Sequence, residues 1–352
     1  MSNCIILTGG GTAGHTTLNI KLKDELPKYF DKIVYIGSKT GIEKELIKKN
    51  TSYTYEEIST VKLVRGKFFS NLAIPFKLAH AVSDAKKIIK KYNPSVIFSK
   101  GGYVGLPVTI AGKKLNIPVI CHESDLTMGL ANKLAKKYAK IICTNFEKTA
   151  KCDKKKCIYT GMPLVLSKKS KIQAKQDLNI LTNKPVLLVT GGSLGAKVLN
   201  DFIFNNINEI TKSFFVIHLT GKNNSNNQIK NNNYRQIEFY NDMPTLFRAS
   251  DYAISRAGAN SCIEILSNNI LTIFVPLEKA SRGDQIENAK ELTSKGLCAN
   301  LKESSLNLTN FYNAIDFLQK NAKIIKNNIK NAKISDGTEK IMKIILDNQL
   351  KN

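Results

Sequence analysis

Tryptophan is absent from this sequence of 352 residues, and the longest apolar region, residues 68–82, is interrupted by Asn71, Pro75 and Lys77. It therefore falls short of the roughly 20 apolar residues that a membrane-spanning helix requires. The first residues carry no charged segment followed by an apolar one, and the seven cysteines are odd in number and irregularly spaced. A spanning helix, a secretory signal and a disulfide framework are therefore not expected, and a reducing cytoplasm is the expected compartment.

Acidic residues are scarce, with 28 Asp and Glu against 53 Lys and Arg and a formal net charge of +25. Such an excess of positive charge predicts anionic partners, which include nucleic acid, acidic lipid and phosphorylated substrates. No RNA-binding motif that combines aromatic and basic residues is visible, so nucleic acid is not the expected partner. The sequence also has no Asp-x-Asp motif, and no set of ligands for a metal is predicted.

Short β-branched runs alternate with helical patterns along the whole chain, which predicts parallel, doubly wound sheets and an α/β fold. The rhythm restarts after a basic, turn-rich stretch near residues 160–170, as expected for two domains. An apolar stripe of Ile341, Ile344 and Ile345 predicts a final helix that packs back on the first domain. The strands are predicted at residues 4–7, 33–36, 96–98, 119–121, 141–143, 186–189, 215–217, 252–254 and 271–275.

A glycine-rich segment, residues 8–15, follows the first predicted strand and precedes a helix. Glycine permits close approach to the backbone, and the N–H groups of a helix N-terminus attract anions. Gly9, Gly11 and Gly14 match the dinucleotide-binding pattern, which leaves a nicotinamide or flavin oxidoreductase as an alternative. That reading requires an acidic residue at the end of the second strand, where the sequence has Ser38 and Lys39.

A second glycine segment, residues 190–196, opens the second domain in the same context. Two anion-binding loops, one in each domain, predict a ligand that bridges a cleft. Other polar segments also follow predicted strands, at the sheet edge where α/β proteins bind ligands: residues 99–107, 122–125 and 255–264. A histidine beside carboxylates, as in 122–125, is suited to accept a proton.

The order of these segments resembles the MurG family of UDP-GlcNAc:lipid I N-acetylglucosaminyltransferases over essentially the whole chain. The resemblance rests on five segments in the same order: 10–15 (GGTAGH), 101–104 (GGYV), 191–196 (GGSLGA), 256–259 (RAGA) and 284–289 (DQIENA).

The resemblance implies the GT-B fold, in which two Rossmann-like, doubly wound parallel-sheet domains face a cleft. It implies an N-terminal acceptor and membrane-side domain, residues 1–161, which a C-terminal helix at about 335–352 rejoins. Residues 162–334 are expected to form the domain that binds UDP-GlcNAc. The implied reaction is an inverting transfer of GlcNAc to the 4-hydroxyl of the MurNAc of lipid I, which gives lipid II for peptidoglycan synthesis. No cofactor is implied.

The resemblance also implies roles for individual residues. His15 is the first candidate for the base that removes the hydroxyl proton, and Glu123 is the second. Acceptor and phosphate loops are expected at Gly10, Gly11, Gly102, Tyr103, Gly192 and Gly195. UDP-GlcNAc is expected to contact Thr12, Ala13, Gly14, Ser193, Tyr240, Ala259, Asn260, Ser261, Glu264 and Gln285.

The chain departs from the family pattern in the segment 161–165, where the family commonly has an arginine that contacts the donor. The corresponding residue here is Val165, so one phosphate partner is missing. At 122–125 the chain has Asp125 where some members carry an asparagine that contacts the donor, so Asp125 is not expected to bind it.

Basic residues alternate with apolar ones in the segment 64–77, as is typical of a segment that lies on an anionic membrane. The family's membrane patch falls in this region, so the expected location is peripheral, on the cytoplasmic face of the cell membrane and its anionic inner leaflet. The resemblance also admits partners from cell-wall synthesis or division complexes. The apolar residues of the expected patch are Phe68, Phe69, Leu72, Ile74 and Phe76.

Two alternatives stay open beside the oxidoreductase. A glycosyltransferase of the same fold with another lipid acceptor, such as diacylglycerol, would share the two domains. A lipid- or nucleic-acid-binding protein without catalytic activity would explain the charge but not the paired glycine loops.

Overall fold

The computed structural model describes residues 3–60, 74–151, 153–192, 194–278, 283–332, 334 and 336–350. The chain divides into two compact units. Unit 1 consists of Met1–Leu164 together with Asp336–Asn352, and unit 2 is Val165–Ser335.

The strands follow the order of the chain, with the first seven in unit 1 and the others in unit 2. They are β1 Cys4–Thr8, β2 Lys32–Ser38, β3 Thr54–Ile58, β4 Val96–Ser99, β5 Val119–Glu123, β6 Ile141–Thr144, β7 Cys157–Tyr159, β8 Val186–Thr190, β9 Phe215–Leu219, β10 Tyr234–Ile237, β11 Tyr252–Ser255, β12 Leu271–Phe274 and β13 Ala299–Asn300.

The helices alternate with these strands. They are α1 Ala13–Lys21, α2 Ile42–Asn50, α3 Ile74–Tyr92, α4 Gly102–Lys114, α5 Leu130–Ala135, α6 Glu147–Lys151, α7 Lys171–Asp177, α8 Lys197–Ser213, α9 Met243–Ala249, α10 Ala259–Ser267, α11 Asp284–Ser294, α12 Leu308–Lys320, α13 Ala322–Asn331 and α14 Thr338–Asn348, with short 3₁₀ turns at Leu26–Lys28 and Glu303–Ser305.

Each unit is built on one parallel sheet. The strand order is β3-β2-β1-β4-β5-β6-β7 in unit 1 and β10-β9-β8-β11-β12-β13 in unit 2. The order reverses between β1 and β4 in the first sheet and between β8 and β11 in the second. Such a reversal opens a crevice at the carboxyl ends of the two strands, and α/β proteins bind ligands there. The predicted doubly wound α/β fold is confirmed.

The central strands are buried on both faces because helices cover both sides of each sheet. All five residues of β1 and all five of β8 are buried, and Ile5, Ile6 and Leu7 have no exposed surface. These runs of buried Ile, Leu and Val form the centre of each core and hold the following loops in place.

The nine strands predicted from the sequence are confirmed, and the structure adds β3, β7, β10 and β13. Each of these four lies at an edge of its sheet. An edge strand is paired on one side only and packs less completely, so it lacks the continuous apolar run that reveals a central strand.

The last helix, α14, packs on unit 1 through Ile341 and Ile345, which have no exposed surface. Asp336 fastens its start: Oδ1 accepts hydrogen bonds from the backbone N–H of Leu164 and of Thr338, both at 2.9 Å. No helix in the described ranges has the length and apolar character needed to cross a bilayer.

Candidate active site

In unit 1 the loops after β1 and β4 meet at the point where the strand order reverses. Gly102 lies against the first loop so closely that an added Cβ would stand 2.4 Å from the carbonyl oxygen of Gly10 and 3.3 Å from Nδ1 of His15. The backbone of Gly102 has φ +75°, which also favours glycine. The structure therefore brings together Gly10, His15 and Gly102.

The first glycine loop is fixed by hydrogen bonds to Glu43 of α2, a residue that was not predicted from the sequence. Glu43 has no exposed surface, and its carboxylate accepts hydrogen bonds from the N–H of Gly11 at 3.3 Å and of Ser38 at 3.1 Å. The Tyr103 ring covers the loop, since a Cβ on Gly11 would stand 2.4 Å from its Cε1. The N–H of Gly11 is thus already bound to a carboxylate, which reduces its capacity to bind phosphate.

His15 lies in the first turn of α1 and is half-buried. Its Nδ1 is 3.0 Å from Oγ1 of Thr12, the exposed residue that precedes the helix. If Nδ1–H donates to Thr12, the lone pair for accepting a proton is on Nε2. Ala13 and Gly14 occupy the first two positions of the same helix and belong to unit 1.

Glu123 ends β5 and is 5% exposed. Its carboxylate accepts three hydrogen bonds: from the N–H of Asp125 at 3.0 Å, the N–H of Gly129 at 2.9 Å and Nδ2 of Asn132 at 2.9 Å. These donors fix the loop between β5 and α5.

His122, the residue before Glu123, is fully buried in unit 1. Its Nε2 is 2.9 Å from the carbonyl oxygen of Gly161, so Nε2 carries a proton and donates it. Burial, followed by the positive charge of Lys100, holds the pKa of His122 well below its ordinary value. The residue is therefore a neutral imidazole at neutral pH.

In unit 2 the glycines at the corresponding sheet edge are open. Among the residues that the structure describes, none lies within 4 Å of a Cβ added on Gly192, Gly258 or Gly283. These glycines follow β8, β11 and β12, which are adjacent strands in the sheet. Gly195 is different, because its Cβ would stand 2.0 Å from the carbonyl oxygen of Thr220. Three of the four glycines thus line free space, while Gly195 permits a tight turn.

The helix α10 begins directly after Gly258 and carries the residues expected to bind phosphate and ribose. Ala259 is its first residue and is buried, while Asn260, Ser261 and Glu264 are half-buried within the first two turns. The N-terminus of this helix has no acidic residue in its first turn, so its dipole is not offset there. The arrangement is suited to a phosphate group.

Gln285 and Tyr240 lie near the same edge of the second sheet. Gln285 is in the first turn of α11, and its Oε1 accepts a hydrogen bond from the N–H of Leu277 at 3.1 Å. Asn288 of the same helix donates to the carbonyl oxygen of Ala257 at 3.2 Å, which ties α11 to the loop before α10. Tyr240 is half-buried in the segment between β10 and α9.

Arg256, in the segment that resembles the family motif, has a structural role. Its guanidinium donates to the carbonyl oxygen of Val275 at 3.0 Å and pairs with Glu303. Glu303 in turn accepts a hydrogen bond from the N–H of Glu278 at 3.2 Å. The guanidinium therefore holds the loop after β12 in place. Val165, at the position of the family's donor-binding arginine, is 53% exposed.

Several expected residues lie outside the described residues: Ser193 of the second glycine loop, and Phe68, Phe69 and Leu72 of the expected membrane patch. The other two residues of that patch are at the start of α3, where Ile74 is half-buried and Phe76 is 82% exposed. Among the described residues, no group of three or more His, Cys, Asp or Glu side chains could hold a metal ion.

Two family models match the chain, the first within unit 1 and the second mainly in unit 2. The glycosyltransferase family 28 N-terminal domain matches residues 5–144, and the glycosyltransferase family 28 C-terminal domain matches residues 186–344. Together they span most of the sequence. A nicotinamide or flavin oxidoreductase is not what these matches indicate.

Curated relatives match over nearly their full length. A protein of Clostridium tetani is 43% identical, with 98% of each chain covered, and one of Clostridium perfringens is 44% identical, with 97% of each chain covered. Both are named UDP-N-acetylglucosamine–N-acetylmuramyl-(pentapeptide) pyrophosphoryl-undecaprenol N-acetylglucosamine transferase.

Solved structures agree on the fold. The crystal structure of MurG from Acinetobacter baumannii superposes with a TM-score of 0.74 at 23% identity, covering 98% of this chain and 99% of that one. A UDP-GlcNAc 2-epimerase from Neisseria meningitidis, solved with UDP-GlcNAc, gives a TM-score of 0.66 at 13% identity, with 98% and 99% covered. With its two parallel-sheet units of the GT-B type and its close curated relatives, the chain belongs to glycosyltransferase family 28, in the MurG family, and is a glycosyltransferase.

Proposed function

We propose that this protein transfers GlcNAc from UDP-GlcNAc to the 4-hydroxyl of the MurNAc of lipid I, with inversion at the anomeric carbon, and so produces lipid II. The names of relatives that are 43–44% identical over 97–98% of the chain support this substrate pair. The observation that carries the proposal is the open glycine edge of unit 2, formed by Gly192, Gly258 and Gly283.

The donor is assigned to unit 2. The N-terminus of α10, with Ala259, Asn260 and Ser261, is suited to the diphosphate, because its N–H groups and dipole favour negative charge. The same charge develops on UDP as it departs, so these groups stabilise the leaving group as well as bind it. By family resemblance, Glu264 binds the ribose, Gln285 the sugar hydroxyls and the backbone at Tyr240 the uracil, while Ser193 lies near the diphosphate.

The acceptor is assigned to unit 1, at the loops that contain Gly10, Gly11, Gly102 and Tyr103. His15 is the residue assigned to remove the proton from the acceptor hydroxyl as the new bond forms. The 3.0 Å contact between its Nδ1 and Thr12 supports this role, because it can fix the tautomer in which Nε2 is basic.

Glu123, the second candidate for the base, is better suited to positioning. Its three N–H donors hold the loop that begins at Ser124 and offset its negative charge. We therefore assign removal of the acceptor proton to His15. Glu123 is assigned the role of holding the loop between β5 and α5 in its conformation.

A peripheral location on an anionic membrane forms part of the proposal. The exposed Phe76 and the neighbouring Lys77 support it, because they place an apolar ring beside a positive charge at the start of α3. A shallow pocket of about 430 Å³ lies beside them, lined also by Ser59, Thr60 and His80. Sedimentation with anionic and with neutral vesicles tests this location, since only anionic vesicles should bind the protein.

The test of the reaction is transfer of labelled GlcNAc from UDP-GlcNAc to a lipid I analogue. His15→Ala should lower kcat by about 100-fold or more, the usual range for loss of a general base, with UDP binding unchanged. Glu264→Ala should raise the donor KM by roughly 10-fold, since it removes a hydrogen-bond acceptor for the donor. Glu45→Ala on α2 and Glu209→Ala on α8, at exposed positions on helices of the same two units, are the matched controls.

Other outcomes would change the assignment. Transfer to diacylglycerol instead of the lipid I analogue would retain the glycosyltransferase and reject the acceptor. Full activity of His15→Ala would reject His15 as the base. A pH–rate profile of the variant that retains activity would then identify the group that titrates.

A further inference from the structure

Glu303, the first residue of the 3₁₀ turn after β13, uses both oxygens of its carboxylate inside unit 2. Oε1 pairs with the Arg256 guanidinium, and Oε2 accepts a hydrogen bond from the N–H of Glu278 at 3.2 Å. The side chains of Arg256 and Glu303 are 10% and 14% exposed. A buried ion pair of this kind contributes little net stability, because both charges lose their hydration. The pair therefore matters chiefly for the geometry that it fixes.

The Arg256–Glu303 pair fixes both ends of the described loop after β12, residues 275–278. The Arg256 guanidinium donates to the carbonyl oxygen of Val275 at 3.0 Å, and Glu303 accepts the N–H of Glu278. Val275 has no exposed surface, so the first of these contacts is shielded from water. A shift of the loop therefore requires the pair to move or to break.

The 3₁₀ turn that carries Glu303 is itself held at both ends. The N–H of Leu301 donates to the carbonyl oxygen of Phe274 at 2.9 Å, which ties the start of the turn to the end of β12. Nδ2 of Asn310 donates to the carbonyl oxygen of Ser305 at 2.8 Å, which ties its end to α12. Glu303 thus extends from a fixed support, as a residue that positions a binding site must.

The loop in turn sets the orientation of the Gln285 amide. The N–H of Leu277 donates to Oε1 of Gln285 at 3.1 Å, so the carbonyl side of the amide faces the loop. Nε2 has no hydrogen-bond partner among the residues that the structure describes. Gln285 lies two residues after the open Gly283, at the sheet edge assigned to the donor. The NH₂ group is therefore available to donate to a ligand there.

We propose that Glu303 is a positioning residue for the sugar of the donor. Through Arg256 and the loop after β12 it holds the Gln285 amide so that Nε2 donates to a hydroxyl of that sugar. The inference rests on the proposed function for the assignment of UDP-GlcNAc to unit 2. Glu303 acts through the loop and not by contact with the ligand, and it lies outside all five segments that carry the family resemblance.

The effect of Glu303 should be confined to the sugar, because the diphosphate is assigned to the N-terminus of α10. The segment before that helix has anchors of its own. The N–H of Arg256 donates to the carbonyl oxygen of Thr190 at 3.3 Å. The carbonyl oxygen of Ala257 accepts from Nδ2 of Asn288 at 3.2 Å. Neither contact involves the Glu303 carboxylate, so binding of UDP alone is the internal reference for a test.

Calorimetric titration of Glu303→Gln with UDP-GlcNAc and with UDP tests the proposal. Glutamine keeps the size of the side chain but turns an NH₂ group towards a donor, so the loop should shift. The dissociation constant of UDP-GlcNAc should rise about 10-fold, as for loss of one well-placed hydrogen bond, and that of UDP should stay within about twofold. In the transfer assay the donor KM should rise and the acceptor KM should not. Glu209→Gln, an exposed change of the same chemistry on α8, is the control.

A second variant separates positioning from stability. Glu303→Gln leaves the Arg256 guanidinium buried without its partner and should lower the melting temperature by several degrees. The double variant Arg256→Gln/Glu303→Gln removes both charges and should recover part of that loss. Its affinity for UDP-GlcNAc should stay as low as in Glu303→Gln, because the loop still lacks its two anchors. Recovery of the affinity together with the melting temperature would show that the pair only stabilises unit 2, and would overturn the inference.

Two other results would also overturn it: an equal loss of affinity for UDP and UDP-GlcNAc in Glu303→Gln, or no change in either. Failure of the proposed function looks different. If the wild type binds UDP-GlcNAc but does not use lipid I, the proposed acceptor is rejected and the two affinities still decide the role of Glu303. If the wild type does not bind UDP-GlcNAc, the assignment of the donor is rejected, and the role of Glu303 is rejected with it.

Discussion

At the glycine loop of unit 1, an added Cβ on Gly11 would stand 2.4 Å from the Tyr103 ring, whereas a Cβ on Gly192 of unit 2 would have no neighbour within 4 Å in the described part of the chain. Both loops follow the strand at which the order of the sheet reverses, and both residues have positive φ, +91° and +86°. The same residue type in the same topological position therefore serves two purposes. In unit 1 it lets the protein pack on itself, and in unit 2 it leaves open space at the sheet edge.

The difference shows why a glycine motif alone is a weak indicator of function. The loop in unit 1 donates an N–H hydrogen bond to Glu43 and is covered by Tyr103, so side chains from other elements of unit 1 occupy part of the space around it. The loop in unit 2 presents Gly192 and Leu194 to solvent, with Leu194 82% exposed. The two glycine loops differ in the side chains that pack against them, and those side chains come from distant parts of the sequence.

The largest expected effect is on stability, and it is seen by comparing alanine at a tightly packed glycine, Gly102, with alanine at an open glycine, Gly192. Gly102→Ala should destabilise unit 1 by about 2–5 kcal/mol, because strain at positive φ adds to overlap with the Gly10 carbonyl. Gly192→Ala should cost only about 1–2 kcal/mol from backbone strain, but it should raise the donor KM. Differential scanning calorimetry and steady-state kinetics on both variants measure the two effects.

Gly258→Ala is the matched control for backbone strain, since Gly258 has φ −65° and open space around it. It should weaken donor binding with a loss of stability near 1 kcal/mol or less, the difference between glycine and alanine before a helix. Equal loss of stability in Gly102→Ala and Gly192→Ala would contradict the contrast between the two loops.

A smaller effect is expected from Glu43→Gln, which converts the carboxylate below the first loop into an amide. One oxygen becomes an NH₂ group that faces backbone donors, so unit 1 should lose about 1–3 kcal/mol. Transfer should slow because the loop that carries His15 shifts, while UDP binding in unit 2 should be unchanged. Glu45→Gln, an exposed change on the same helix, serves as the control. An equal loss of UDP binding would show that the two loops are not independent.

Acid pH gives an effect that grows with each pH unit, and it tests unit 2 through its buried His218. In unit 2, Nδ1 of His218 lies 2.9 Å from the Tyr234 hydroxyl and Nε2 lies 3.0 Å from Oδ1 of Asn200, and burial lowers the pKa of His218 from 6.5 to about 3. As pH falls from 6.5 towards 3, the unfolded chain binds a proton that the folded chain does not. Folding therefore loses about 1.4 kcal/mol per pH unit in that window.

Urea unfolding of the wild type and of His218→Gln at pH 7, 6 and 5 measures this slope. The variant is less stable at pH 7, because glutamine cannot reproduce both hydrogen bonds. The difference between the two proteins should shrink as the pH falls, since only the wild type has the titrating imidazole. A constant difference would mean that His218 does not titrate on unfolding in this range.

The sequence was sufficient to predict the central strands and the topology class, since β1, β8 and their neighbours are continuous apolar runs. It did not reveal β3 or β10. These strands lie at sheet edges and are partly exposed, so they can contain Thr, Glu, Arg and Gln instead of a continuous apolar run. Central strands are recognisable because burial on both faces constrains every residue, and edge strands are constrained at only some of them.

The sequence could place Gly10, His15 and Gly102 at the same sheet edge, because each belongs to a segment that follows a predicted strand. The contact of Glu43 with the glycine loop could not be predicted, because the dinucleotide-binding pattern places an acidic residue at the end of β2 and this carboxylate comes from the following helix. Glu303 lies outside the segments that carry the family resemblance, and only the packing of unit 2 brings its carboxylate to Arg256. Sequence proximity indicates which loop a residue belongs to, and only the fold indicates what the side chain meets.

The return of α14 to unit 1 has a consequence for the synthesis of the protein. Asp336 and the helix after it complete the packing of a unit that otherwise ends at Leu164, and Leu350 donates its N–H to the carbonyl of Ser95 at 2.9 Å. A ribosome makes all of Val165–Ser335 between these two parts. Domains of a nascent chain ordinarily fold in order from the N-terminus. Here the second unit can finish folding first, while the first waits for its last helix to be translated.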